Sequence, residues 1–201
     1  MKEYQDYFFK KAKKEGVLSR AFFKLEEIDK KHRLMGKESA ILDLGCSPGS
    51  WMQYAARQTG ESGCVVGVDK VPPANNLPRW VHVVCEDLLS VPAEKLLALA
   101  GRKFDVVLSD AAPSTTGERF VDQQNSLRLV ERVLKLSRAV LKPGGHLVIK
   151  VFQGPDTKKI WDACRVQFEE MLIEKPQSSR KESFEVYWVA LRRKDAGPSG
   201  G

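Results

Sequence analysis

From residue 40 onward the chain alternates short, nearly continuous apolar runs with stretches in which apolar residues recur every three to four positions. The runs are Ala40 to Leu44, Cys64 to Asp69, Val81 to Cys85, Phe104 to Ser109, His146 to Phe152, Met171 to Glu174, and Phe184 to Leu191. Runs of that length bounded by turn residues predict strands buried on both faces, and their alternation with helical periods predicts an α/β fold. The expected architecture is a doubly wound, Rossmann-like sheet of seven mostly parallel strands with helices on both faces. Between Phe104 and His146 the stripe Leu127, Val130, Leu134 and Leu141 predicts a helix, stopped by Lys142, Pro143, Gly144 and Gly145. Ahead of the first strand, Ser19 can cap a helix running to about Lys31, with Ala21, Phe22, Leu25 and Ile28 as its apolar stripe. No internal repeat or linker divides the chain, so residues 1–194 are expected to form one domain. Asp195 to Gly201, rich in Gly, Pro and Ser, reads as a flexible tail.

Charge changes the picture at one end. Residues 1–37 hold eleven Lys and Arg against six Asp and Glu, which accounts for most of the formal charge of +7. Such a segment attracts a phosphate-rich partner, although a solvated helical face explains most lysine clusters. The four cysteines, at 46, 64, 85 and 164, show no paired spacing, which argues against a metal site or a disulfide framework. No apolar stretch reaches the ~18 residues that a membrane span needs, and Met1 to Lys14 mixes Lys with Glu3 and Asp6, unlike a secretory leader. A cytoplasmic protein in a reducing compartment fits these features; a monomer is expected, though none of these features reports the oligomeric state.

The first predicted strand ends in Asp43-Leu44-Gly45-Cys46-Ser47-Pro48-Gly49-Ser50-Trp51, where the backbone turns sharply and Gly45 and Gly49 let a ligand approach. This loop lacks the G-x-G-x-x-G spacing of a dinucleotide site, and a carboxylate at Asp43 repels a pyrophosphate while suiting a cationic or polar group. Asp69 ends the second strand where the doubly wound fold places an acceptor for ribose hydroxyls, and Asp87 after the third can accept from an adenine amino group. Three strand ends converging on one crevice predict a nucleoside-bearing cofactor.

The loop from Asp43 to Trp51, together with Ser109-Asp110-Ala111-Ala112-Pro113, Lys150-Val151-Phe152-Gln153-Gly154 and Ser19-Arg20-Ala21-Phe22-Phe23-Lys24-Leu25, resembles the FtsJ family of heat-shock 23S rRNA 2′-O-ribose methyltransferases. The resemblance spans about residues 4 to 192. It implies a Rossmann-like class I methyltransferase fold and S-adenosyl-L-methionine as cofactor. By that resemblance Gly45, Gly49, Ser50, Trp51, Asp69, Asp87 and Asp110 contact the cofactor. The family loop commonly reads P-G-G-W, and here Ser50 stands at the second glycine; Cys46 and Ser47 stand where two alanines are common.

Methyl transfer to a hydroxyl needs in-line geometry and a base that takes the proton. Lys150 lies amid Val148, Ile149, Val151 and Phe152, where an isolated lysine is costly to bury without a role. Acting as a base near neutrality requires the ordinary lysine value of ~10.4 to fall by ~2 to 3 units, for which Lys24 or a sulfonium could supply the positive charge. The resemblance implies a tetrad of Lys24, Asp110, Lys150 and Glu185, with Lys150 principal. On composition alone Lys24 beside Glu26 and Glu27 reads as a surface lysine, Asp110 as a turn residue, and Glu185 as a solvated strand edge.

The substrate implied by the resemblance is a uridine in large-subunit ribosomal RNA, on the assembled or assembling subunit. Lys10, Lys11, Lys13, Lys14 and Arg20 are the candidate phosphate contacts from the leader, with Arg180 and Lys181 from the polar loop Pro176 to Ser183. Tyr4, Tyr7, Phe8 and Phe9 can stack on a base or staple the leader to the core, and packing is favoured. Competing readings are a methyltransferase for another RNA, a small molecule or a protein, a non-catalytic RNA-binding ribosome-assembly factor, and, ranked lower, a nicotinamide-dependent oxidoreductase.

Overall fold

The computed structural model describes residues 2–74, 77–113, 118–154, 156–179 and 184–195, with side chains described from residue 7 onward except at 119, 120 and 122. Two helices, α1 (Lys2–Lys14) and α2 (Ala21–His32), precede β1 (Ala40–Leu44), α3 (Ser50–Thr59), β2 (Cys64–Asp69) and β3 (Val81–Cys85). There follow α4 (Ala93–Ala100), β4 (Phe104–Ser109), α5 (Arg119–Val140), β5 (Leu141–Phe152), α6 (Thr157–Arg165), β6 (Phe168–Glu174) and β7 (Glu185–Arg193). The strands form one sheet in the order β3-β2-β1-β4-β5-β7-β6, in which β1 to β5 pair in parallel and β7 inserts antiparallel between β5 and β6.

Strand alternation sends side chains to two separate cores, as a sheet covered on both faces requires. Ala40, Leu42 and Leu44 of β1 join Leu96 of α4, Val130 and Leu134 of α5, and Cys164 of α6 on one face. Ile41 joins Phe22, Leu25 and Ile28 of α2 with Trp51, Met52 and Ala55 of α3 on the other. The basic leader is stapled to this second face: Phe8 stacks against Phe23 with ring centroids 5.7 Å apart, while Tyr7 and Phe9 stay exposed. The side chain of Tyr4 lies outside the described residues.

At its N-terminus α2 has Arg20, not the expected Ser19, as N-cap and no side-chain cap bond, while Ser19 Oγ accepts the Ala21 N–H at 3.2 Å just ahead of it. Its far end turns through a left-handed Arg33, and buried Asp29 holds the exit by accepting from the amides of Leu34 and Met35 and from the Tyr54 hydroxyl at 2.7 Å. The predicted boundary between α5 and β5 is corrected, and β6 begins at Phe168, three residues before the predicted run. Leu141 does not continue the α5 stripe, and the predicted stop belongs to β5. Phe104 pairs with Leu141, the ladder resumes at Val106 with His146, and residues 142–145 bulge between. The bulge needs its glycines: Gly144 has φ +74°, and a Cβ on Gly145 would meet Leu141 and the Asp105 carbonyl within 3 Å. Of the predicted tail, 196–201 lie outside the described residues.

Candidate active site

A cleft of about 720 Å³ opens at the carboxyl ends of β1, β2, β3 and β4, where the doubly wound topology leaves room between loops. Gly45, Asp69, Asp87 and Asp110 line it, as do Val71, Leu88 and Leu89. Gly45 has φ +82°, and a Cβ there would come within 2.6 Å of Ala111, so only glycine lets the β1 turn pass this close to the β4 turn. Asp69 braces the turn: its Oδ2 accepts from the Ser47 amide at 3.0 Å and its Oδ1 from the Val71 amide at 3.1 Å. Asp87 accepts from the Leu89 amide and pairs with Lys70 Nζ at 2.8 Å; these bonds, that from Lys70 foremost, hold its carboxyl below the usual carboxylate range. Val71 and Leu89 leave apolar surface exposed at the rim beside these acids. Flat apolar flanks with two carboxylates at the strand ends suit a purine nucleoside.

Gly49, Ser50 and Trp51 open α3 directly after the cleft loop and are not among the described residues that line the cleft. A Cβ on Gly49 would touch Pro73 and Leu18. Ser50 is buried and its Oγ lies 2.7 Å from Ser19 Oγ, while Trp51 donates its indole N–H to the Ala21 carbonyl at 2.9 Å. Gln53 adds bonds to the Leu18 amide and the Gly16 carbonyl. The first turn of α3 therefore fastens the segment 16–21 from behind the cleft, and Ser50 has a partner there that glycine would lack.

Asp43 is fully buried beneath α3 and is also absent from the cleft wall. Neither carboxylate oxygen has a hydrogen-bond partner of good geometry among the described residues, although the Met52 amide is near enough to favour charge slightly. Burial above all, then the charges of Asp110 and Asp69, push its carboxyl well above the ordinary range.

Asp110 belongs both to the cleft and to a buried cluster on the α2 face of the sheet. Lys150 Nζ, from β5, donates to the Asp110 carbonyl at 2.5 Å and stands 3.1 Å from Asp110 Oδ1. Lys24 Nζ, from α2, pairs with Glu185 Oε1 of β7 at 2.5 Å. Lys24 is therefore no surface lysine, being 6% exposed. Nor is it a free positive charge beside Lys150, because Glu185 neutralises it. Burial of Glu185 opposes its charge, but the bond and charge of Lys24, with the charge of Lys150, keep its carboxyl below the usual value. All four tetrad residues thus lie together.

Tyr187, fully buried on β7, joins the two pairs. Its hydroxyl accepts from Lys24 Nζ at 3.1 Å and donates to Asp110 Oδ1 at 2.8 Å, and its ring lies 5.7 Å from that of Trp51. Sequence reasoning missed it because a tyrosine in an apolar strand reads as a packing residue. The available signal was its period-two spacing from Glu185, which places both on one sheet face.

Comparison with known proteins decides what this arrangement belongs to. The model of the FtsJ-like methyltransferase family matches residues 17–193. The chain belongs to that family. The FtsJ-like match takes in the cleft loop, all four tetrad residues and Tyr187. Named relatives agree: a ribosomal RNA large subunit methyltransferase E from Syntrophobacter fumaroxidans is 42% identical over 94% of this chain and 95% of its own length. One of the same name from Bdellovibrio bacteriovorus is 42% identical over 94% and 97%. Among solved structures, a Plasmodium falciparum protein described as a ribosomal RNA methyltransferase superposes with a TM-score of 0.74 at 27% identity, covering 87% of this chain and 97% of that one. This FtsJ-like chain is accordingly a methyltransferase with the expected mostly parallel Rossmann-like sheet.

The charged leader is less uniform than its composition. Lys10, Lys13 and Lys14 are exposed on α1, but Lys11 lies over the Phe23 ring at 4.2 Å and within 4.0 Å of both Glu15 and Glu26. Lys11 is therefore held by the protein itself. Arg180 and Lys181 lie outside the described residues. No described helix is long and apolar enough to cross a membrane.

Proposed function

We propose that this protein methylates the 2′-hydroxyl of a uridine ribose in large-subunit ribosomal RNA, with S-adenosyl-L-methionine as donor. The observation that carries the reading is the double membership of Asp110, which lines the cleft and also grips Lys150. Donor and acceptor of a methyl group must meet at such a junction. The names of the relatives supply the RNA and the subunit.

The residues present fit the cofactor. Asp69 and Asp87 retain lone pairs for ribose and adenine donors, Val71 and Leu89 flank the base, and Gly45 keeps the wall thin. When bound there, S-adenosyl-L-methionine supplies an electrophilic methyl group on a sulfonium. Gly49, Ser50 and Trp51 serve it by holding the loop. Lys150 Nζ takes the proton of the 2′-hydroxyl as that oxygen attacks, and Asp110 orients the amine and offsets the resulting ammonium. Lys24 and Glu185, locked to each other, present a fixed charge pair beside the ribose. Lys10, Lys13, Lys14 and Arg20 meet RNA phosphates from the leader. The protein acts as a single domain over residues 1–194, and as a monomer.

The test is transfer of labelled methyl from S-adenosyl-L-methionine to large subunits that lack their modifications, followed by partial alkaline hydrolysis of the RNA. Hydrolysis needs a free 2′-hydroxyl, so the expected product is one labelled nucleotide at a gap in the ladder. Label without a gap would mean base methylation and overturn the reading. Cofactor binding without any transfer, on subunits or on free RNA, would favour a non-catalytic assembly factor.

A further inference from the structure

One carboxylate oxygen in the site is shared. Asp110 Oδ1 receives the Tyr187 hydroxyl at 2.8 Å and stands 3.1 Å from Lys150 Nζ. Tyr187 and Lys150 are themselves cross-strand partners in the β5–β7 ladder, so the sheet fixes the spacing of both donors. Tyr187 cannot easily turn away, because its ring is buried against Trp51 and its hydroxyl also holds Lys24. Burial, with the charges of Asp110 and Glu185, raises its phenol well above the usual value. The hydroxyl proton therefore stays in place, and Tyr187 remains a neutral donor across the working pH range.

A neutral donor on a carboxylate oxygen disperses part of the negative charge that a neighbouring cation would otherwise feel. We infer that Tyr187 is a positioning residue that sets how strongly Asp110 holds the proton on Lys150, and hence the pH at which Lys150 can accept the ribose proton. This rests on the function proposed above and adds a residue to it. The charged groups facing the Tyr187 hydroxyl are Lys24 from α2, Arg20 just before it, Asp110 after β4, Lys150 on β5 and Glu185 on β7. Tyr187 needs no contact with cofactor or RNA in this role.

Tyr187→Phe removes the hydroxyl and keeps the ring. Asp110 then acts on Lys150 alone, the ammonium form is favoured, and the rising limb of the pH–rate curve should move to higher pH by about one unit. Single-turnover methyl transfer to unmodified large subunits, followed from pH 6 to 9.5, should show the variant about tenfold slow at pH 7 and converging on wild type as the pH rises. Cofactor Kd should stay within about threefold of wild type. A deficit of the same factor at every pH would mark a structural role and overturn the inference, as would an unchanged curve. If the variant does not fold, a fluorinated tyrosine at 187, a stronger donor, should move the limb to lower pH, and an unmoved limb would overturn the inference. Wild-type protein that transfers no methyl would remove the functional reading and the inference together, whereas active wild type with a wild-type-like Tyr187→Phe removes only the inference.

Discussion

Two lysines, 126 positions apart in the chain, do different work because their partners differ. Lys24 pairs with Glu185 at 2.5 Å and also reaches the Tyr187 hydroxyl, whereas Lys150 is held by the carbonyl and the carboxylate of Asp110. Of the two, only Lys150 is gripped by a residue that also lines the cleft. Lys150→Ala should therefore lower single-turnover methyl transfer by about 10³-fold, within the range of a lost general base. Isothermal titration should find cofactor Kd within about threefold of wild type; a loss of affinity matching the loss of rate would move Lys150 into cofactor binding. Asp43 poses the opposite case of a carboxyl with no hydrogen-bond partner of good geometry among the described residues. Its folded pKa lies above the unfolded value of ~3.9, so the folded state binds the extra proton. The stability this contributes is complete below that unfolded value and is lost as pH rises through the raised folded value. In urea titrations from pH 4 to 8, Asp43→Asn should gain stability relative to wild type as pH rises. A difference that stays constant with pH would mean that Asp43 is not raised.

At the scale of elements, the β1 turn is the most constrained piece of backbone at the cleft. Gly45→Ala combines a positive φ, costing ~1 to 2 kcal/mol for an alanine, with a clash against Ala111 backbone that no rotamer relieves. It should lower the thermal midpoint by several degrees and weaken cofactor binding at least tenfold. Gly36→Ala, at a glycine with open space around it, should change neither quantity. The ends of β1 to β4 were legible in the sequence because each is a continuous apolar run closed by a turn signal. Leu141 was misread because it prolongs the period of Leu127, Val130 and Leu134, and only the sheet ladder reveals that the chain has already left the helix. The bonds of Ser50 to Ser19 and of Trp51 to Ala21 were equally hidden, since each joins residues 30 or more positions apart. The four tetrad positions were legible through motif likeness, whereas Tyr187 needed the register of β7 against β5.

Over the whole molecule, charge and chemistry sit on connected parts. The exposed lysines of α1 lead through segment 16–21, which α3 fastens, into the helix carrying Lys24. Reversal of Lys10, Lys13 and Lys14 to Glu should reduce the slope of log affinity for RNA against log salt by about 2 to 3, as expected for three lost phosphate contacts. Cofactor affinity should be untouched. An unaltered slope would remove the leader from the RNA interface. Lys11 is left out of the set because it is only partly exposed, lying over the Phe23 ring.

The insertion of β7 between β5 and β6 has a consequence in time. Lys24 meets Glu185 across 161 positions of sequence, and Tyr187 arrives on the same strand. Among the described residues, all that line the cleft fall within 45–129, so a chain still emerging from the ribosome carries these donor-binding walls long before its full set of proton-handling groups. Only when β7 has been made, and has found its place between two strands synthesised earlier, does the cluster close. Methyl transfer by this protein is in that sense a report that its own folding is finished.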